Sequence, residues 1–298
     1  MTSLRAWLTQ AALQLEQAEL TFGHGTDNAW DEAVAIALGA LNLPDDEAVL
    51  DKVLTDAQDN EITTLVTRRI DERVPVPILL GHARFAGHRF LVAPNVMIPR
   101  SPIAELIVQG FKPWLKRAPL RVLDLCSGGG CIGISCALQF ADAAVDLIDL
   151  DPLAVGLSEQ NIELHDLGAR VRAFTGNLYE PLPTTDATYD LIVSNPPYVP
   201  SADSKVRPAE FRHEPALAYD GGTTGMDLVA GILARAGQFL APDGLLVIEV
   251  GQWADVVEAR WPQVPFVWPE LHWGGEGVLL LDATVVAEHT DALATDWG

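Results

Sequence analysis

Two stretches of the 298-residue chain hold residues whose types and spacing could do chemistry. The first reads Asp124-Leu125-Cys126-Ser127-Gly128-Gly129-Gly130-Cys131-Ile132-Gly133. Glycine has no Cβ, so backbone here can approach a ligand where a side chain would collide. Gly128, Gly130 and Gly133 form a literal G-x-G-x-x-G, a weak signal when it stands alone. Asp149 closes the next apolar run about 20 residues further on, where a carboxylate can accept from both ribose hydroxyls. The pair narrows the ligand to an adenosine-containing cofactor, with NAD and S-adenosylmethionine both open. Two details favour the sulfonium compound. Asp124 precedes the glycines at a spacing that brings its carboxylate near the methionine amino group, a positive charge that NAD lacks. Downstream there is no hydride-transfer apparatus.

What stands downstream is the second stretch, Asn195-Pro196-Pro197-Tyr198, at the carboxyl end of the strand-like run Tyr189-Asp190-Leu191-Ile192-Val193-Ser194. That position sets Asn195 beside the cofactor pocket, where it counts among the cofactor-contacting residues as well. An amide nitrogen is a poor nucleophile because its lone pair is delocalised, so it must be oriented. The Asn195 side-chain oxygen can accept one hydrogen of a substrate NH₂ and the Pro196 carbonyl the other. The lone pair then faces the sulfonium methyl, a positioning gain of several kcal/mol. Two prolines stiffen the loop and remove competing donors, and Tyr198 offers a flat face to a planar group. The expected chemistry is methylation of an amide-like or amine nitrogen. The exocyclic amine of adenine is a second candidate acceptor.

These groups need elements to hold them. Leu4, Trp7, Leu8, Ala11, Leu15 and Ala18 fall at helical spacing over 4–20; further helices are expected over about 30–41 and 46–72, the latter with a candidate break near Asp59. Residues 1–75 therefore read as an all-helical domain, expected to recognise substrate. Residues 76–100 read as a β-hairpin linker. From 101 to 298, after a helix over 103–115, strands and helices alternate. This pattern predicts a mostly parallel sheet with helices on both faces, the α/β class. An antiparallel pair, 264–271 with 277–282, is expected at its edge.

Composition limits the partners. With 41 acidic against 19 basic residues, the net charge is −22. Nucleic-acid affinity rests on Lys and Arg neutralising phosphates, so free DNA or RNA is not the expected substrate; a basic protein is. No apolar run reaches the roughly 20 residues of a membrane span and no leader is evident, which places the chain in the cytoplasm. Cys126, Cys131 and Cys136, five residues apart, match neither a disulfide framework nor a zinc site. They are expected to be reduced and structural, and no metal is expected.

The residues quoted above, with the segments MIPRSPIAELI and VSNPPYVP, resemble class I methyltransferases that modify glutamine in translation proteins. The resemblance spans essentially the whole chain. One branch of that family acts on peptide-chain release factors and one on ribosomal protein L-three of the large subunit. FGHGTDNAWDEA at 22–33, IPRSPIAEL at 98–106 and FRHEPALA at 211–218 look like the second branch. The resemblance implies that Gly128, Gly130 and Asp149 hold S-adenosylmethionine and that Asn195 through Tyr198 grip the glutamine amide. The chain departs from the family pattern at Cys126, where a glycine is usual, and at Asn177, where an acidic residue is expected near the adenine amine. Asn177 can still bond the adenine edge. His213 and Glu214 are read as part of a substrate loop rather than as an acid/base pair, and His24 as a structural or recognition residue.

Overall fold

The structure, a computed structural model, describes residues 2–183 and 188–294. The chain forms two compact units. The first comprises Met1–Ala83, Val92–Pro94 and Arg207–Glu214; the second comprises Arg84–Leu91, Asn95–Val206 and Pro215–Gly298.

The first unit is helical: α1 (Leu4–Gln17), α2 (Ala29–Ala40), α3 (Asp56–Asp71) and the short α4 (Val76–Leu80). Leu4, Trp7, Leu8, Ala11 and Leu15 line the buried face of α1 and pack with Ala33, Ile36 and Ala37 of α2 and Ile62 and Val66 of α3. Burial of each large apolar side chain contributes about 1.5–3 kcal/mol. Side-chain caps fix where these helices start. Ser3 accepts from the Ala6 N–H, Asn28 from the Asp31 N–H, and Thr55 and Gln58 form a reciprocal capping box. That box sets the break in the 46–72 stretch at Thr55, ahead of the candidate break near Asp59. Thr55 is extended and starts a new helix, leaving only a short 3₁₀ turn at Glu47–Val49 before it. The 76–100 stretch likewise begins with α4, before the hairpin of β1 (His82–Phe85) and β2 (His88–Leu91). Ala86 and Gly87, both at positive φ, make its two-residue turn.

The second unit is built on a six-stranded sheet. Its strands are β3 (Arg121–Leu125), β4 (Ala144–Asp149), β5 (Val171–Thr175), β6 (Tyr189–Ser194), β7 (Leu240–Glu249) and β8 (Val278–Asp282), in the order β5-β4-β3-β6-β7-β8. All neighbours are parallel except β7 and β8. Side chains alternate between two cores. Leu123, Leu125, Ile192, Leu246 and Ile248 face one; Val122, Leu191, Val193, Leu245 and Val247 face the other. Helices cover both: α5 (Ile103–Val108) and α6 (Cys131–Gln139) contribute to the second core, and α8 (Asp227–Phe239) to the first, while α7 (Pro152–Leu164) bridges β4 to β5. The short α9 (Ala254–Arg260), α10 (Ala283–Glu288) and α11 (Thr290–Leu293) complete the unit.

Two expected elements differ here. The helix predicted over 103–115 stops at Val108, because Gly110 and Phe111 take positive φ and the Phe111 N–H returns to the Leu106 carbonyl. The edge is antiparallel as expected, but β8 pairs with β7. The 264–271 segment makes a single bridge, Val267 to Leu280, since Pro265 and Pro269 cannot donate to a ladder. Among the described residues no helix is long and apolar enough to cross a membrane.

The helical unit carries a buried ionic cluster. Arg69 is fully buried; its Nε and Nη2 donate to the two Glu32 oxygens at 2.8 and 3.1 Å, Nη2 also donates to the Thr21 carbonyl, and Nη1 lies 3.5 Å from Glu210. Burial raises the Glu32 pKa, against the bonds and charge of Arg69. Removing the cation would strand a buried carboxylate, which typically costs about 3–5 kcal/mol. Arg69→Ala is thus expected to lower stability to denaturant by about that much, whereas Arg68→Ala, whose partner Glu72 is exposed, should cost under about 1 kcal/mol. Equal losses would contradict this assignment.

Candidate active site

The chain order of the sheet decides where a site can form. From β3 the chain winds outward through β4 and β5, then returns to the other side of β3 with β6 and continues to β7. Such a reversal opens a crevice at the carboxyl ends of the central strands. Leu125 pairs with Ile148 and with Ser194, so the residues that follow β3, β4 and β6 emerge side by side. A cleft of about 940 Å³, counted to its open mouth, lies there. The Met97–Arg100 segment, Cys126–Gly129, Asp149, Asn177, Asn195 and Pro197 line it, with Pro215, Leu217 and Ala218.

The glycine loop is tightly braced. The Gly128 N–H donates to Asp149 Oδ2 at 2.7 Å, and the Gly128 and Gly129 carbonyls accept from Ser158 and Asn161 of α7 at 2.8 and 2.9 Å. Gly128 sits at φ +55° on the cleft wall, a left-handed conformation that disfavours side chains. Gly130 heads α6 rather than lining the cleft. Gly133 serves packing: a Cβ there would lie 2.9 Å from that of Asp124. Cys126 takes positive φ (57°) at the position where glycine is usual.

Asp124 is fully buried on β3. Its Oδ2 accepts from the Gly133 N–H at 2.8 Å, while Oδ1 has no partner among the described residues. Burial pushes its pKa up to about 8, opposed by the Gly133 bond and assisted by the negative Asp149. The Ser127 hydroxyl is also buried without a partner among the described residues. An unspent buried carboxylate oxygen is costly unless a donor arrives, so these acceptors fit a ligand that brings N–H and O–H donors, cationic and polyhydroxylated. Asp149 accepts from the Gly128 and Asp151 N–H groups, one per oxygen, and keeps lone pairs for further donors. Burial raises its pKa as well.

Asn195 follows β6. Its Nδ2 donates to the Arg100 carbonyl at 3.4 Å, which leaves Oδ1 as its acceptor end. Pro197 shares the cleft; Pro196 is buried and is not among the lining residues. Tyr198 is brought elsewhere. It lines a second recess with Glu249, Gly251 and Trp253, and its hydroxyl donates to Glu249 Oε1 at 3.0 Å. A Cβ on Gly251 would stand 2.9 Å from the Tyr198 ring.

Several residues of this region went unnoticed in the sequence. Glu249 ends β7, nearly buried, accepting from Tyr198 and from Ser101 Oγ at 2.5 Å. Burial raises its pKa to about 7 against those two bonds and the Arg100 charge. Its one sequence signal is a carboxylate at the end of the apolar run GLLVIEV. Arg100 donates to the Tyr219 hydroxyl at 2.7 Å. Ser158 and Asn161 carry no signal, because their role depends on where α7 packs.

His213 and Glu214 do not line the cleft. Both belong to the helical unit, where Glu214 lies 3.1 Å from His24 in a buried pair and His213 bonds the Glu72 carbonyl. The thiols of Cys126, Cys131 and Cys136 are raised well above the usual range, mainly by burial and then by nearby carboxylates. They are not poised as nucleophiles.

Residues 104–210 match the Methyltransferase small domain family. The chain is 43% identical to a ribosomal protein uL3 glutamine methyltransferase of Bordetella pertussis over 94% of this chain and 95% of the relative. A Neisseria meningitidis protein of the same name is 41% identical over 94% and 93%. Among solved structures, a Pyrococcus furiosus methyltransferase is similar at 18% identity and TM-score 0.47, covering 65% of this chain and 88% of that one.

The raised Asp124 pKa has a consequence for stability. A carboxyl whose pKa rises on folding favours the folded state while it stays protonated there, and that contribution is lost as pH climbs toward and through about 8. Asp124→Asn keeps the shape and removes the titration. Without ligand, its melting temperature relative to the native chain is therefore expected to improve from pH 5 to about 8 and to level off above that; a pH-independent difference would contradict the buried carboxyl with one open oxygen.

Proposed function

The chain belongs to the ribosomal protein uL3 glutamine methyltransferases, and from that premise we propose how its cleft works. The enzyme transfers a methyl group from S-adenosylmethionine to the side-chain amide nitrogen of a glutamine in ribosomal protein uL3. The observation that best supports this reading is the shared cleft of the Cys126–Gly129 loop, Asp149 and Asn195, features separated by long stretches of sequence; Asp124 lies buried on β3 just before that loop and is not itself part of the cleft wall.

Asp124, with its spare buried oxygen, would hold the amino group of S-adenosylmethionine, Gly128 and Gly130 would shape the loop around it, and Asp149 would accept from the ribose hydroxyls. Asn177, at the cleft wall beyond β5, is placed to bond the adenine edge. Bound there, S-adenosylmethionine supplies an electrophilic methyl group. Asn195 Oδ1 and the Pro196 carbonyl each accept one N–H of the substrate amide, which aims its lone pair. Pro197 keeps this loop rigid. Tyr198 anchors the loop through Glu249, a support distinct from the flat face expected of it. The methylated nitrogen is strongly acidic, so its proton leaves without a dedicated base.

The net charge of −22 supports a basic protein partner and disfavours nucleic acid as acceptor. The helical unit is the element we assign to substrate recognition, and the cytoplasm, where ribosomal proteins are made, is the compartment.

Purified enzyme with methyl-labelled cofactor is expected to label unmethylated uL3 on glutamine, and to leave release factors and nucleic acid unlabelled; label on nucleic acid alone would refute the assignment. In the same assay Asn195→Ala should lower turnover by about 10²-fold, the scale of a lost positioning contact, while cofactor affinity by calorimetry stays within about threefold. Equal losses in both would contradict the division of labour between Asn195 and the glycine loop.

A further inference from the structure

We propose that Glu249 is a positioning residue for methyl transfer, holding the frame in which the Asn195 side chain is seated. The inference rests on the reading of Asn195 as the residue that orients the substrate amide.

Register places the two side by side. Ser194 pairs with Ile248, so Glu249 stands one step beyond that pair at the level of Asn195. Asn195 is seated by one bond, from Nδ2 to the Arg100 carbonyl. That carbonyl lies in the planar peptide linking Arg100 to Ser101, so whatever holds Ser101 also sets the plane that Asn195 donates to. Ser101 is held by Glu249: its Oγ donates to Oε2 at 2.5 Å, while accepting from the Ile103 N–H at 3.1 Å. The other carboxylate oxygen takes the Tyr198 hydroxyl at 3.0 Å and so anchors the far end of Asn195-Pro196-Pro197-Tyr198.

One buried carboxylate thereby ties the segment that seats Asn195 to the loop that carries it. The task needs two acceptors, since both partners donate. Glutamine offers one acceptor oxygen, and its NH₂ would force one of the two hydroxyls to turn its hydrogen away and give up its acceptor; alanine offers neither contact. Glu249 lines the second recess and is absent from the wall of the cleft, so it acts through Asn195 and not by touching substrate or cofactor.

The test is a double-mutant cycle on the full-length chain, read as single-turnover methyl transfer to unmethylated uL3, with cofactor affinity and melting temperature measured alongside. Glu249→Gln is expected to slow transfer by about tenfold or more in the native background, with cofactor affinity held within about threefold, and by less than about twofold in the Asn195→Ala background. Equal slowing in both backgrounds, or none in the native one, would overturn the proposal while a slow Asn195→Ala would still uphold the reading beneath it. An Asn195→Ala variant as fast as the native enzyme would overturn both. If Glu249→Gln does not fold, Ser101→Ala takes its place in the cycle. Removing that single anchor should slow transfer by about threefold and be silent with Asn195→Ala; additive slowing would contradict the proposal.

Discussion

The candidate site depends on one pairing: β3 lies between β4 and β6, parallel to both, with Leu125 in register with Ile148 on one side and Ser194 on the other. The hydrogen bonds of the ladder fix this level, and burial of both sheet faces keeps it from slipping, because a one-residue shift would exchange the two apolar cores. Asp149 and Asn195 need no further device to meet the glycine loop. Each is the residue that ends or follows its strand, and the reversal of winding at β3 does the rest.

The sheet also sets the terms on which charge is held inside. Asp124 and Glu249 both end up buried near carboxyl ends of strands, and both have pKa values raised by burial. They resolve the cost differently. Glu249 has a donor on each oxygen and is a finished structural joint. Asp124 has one backbone donor and one open oxygen. A carboxylate left half-satisfied in a packed core is a poor structural choice, and it makes sense where the missing donor belongs to a ligand. The helical unit shows the more complete alternative again, with each nitrogen of the Arg69 guanidinium donating to Glu32, Glu210 or Thr21.

Much of this was legible in the sequence. The apolar stripe of α1, the alternation of strands and helices, and the placement of Asp124, Gly128, Asp149 and Asn195 at strand ends all follow from periodicity and from where polar residues interrupt apolar runs. What was hidden depends on tertiary partners. The break before α3 comes from a capping box whose Thr and Gln look ordinary in a polar stretch. Glu249 finds Ser101 and Tyr198 across 148 and 51 positions of chain. His213 and Glu214, read as part of a substrate loop, lie in a 207–214 segment of the helical unit, where Glu210 completes the Arg69 cluster and Glu214 pairs with His24. No local pattern announces a long-range ion pair, and the pull of Tyr198 away from the cleft follows from the same kind of contact.

The central claim is that one cleft holds the cofactor through the β3 and β4 ends and the acceptor amide through Asn195. The most direct test is a crystal structure of the enzyme with S-adenosylhomocysteine and a glutamine-bearing uL3 peptide. The account predicts the glutamine amide nitrogen within hydrogen-bond reach of Asn195 Oδ1 and the Pro196 carbonyl, on the side facing the cofactor sulfur. An amide bound outside that reach, or a cofactor seated away from Asp124 and Asp149, would contradict it.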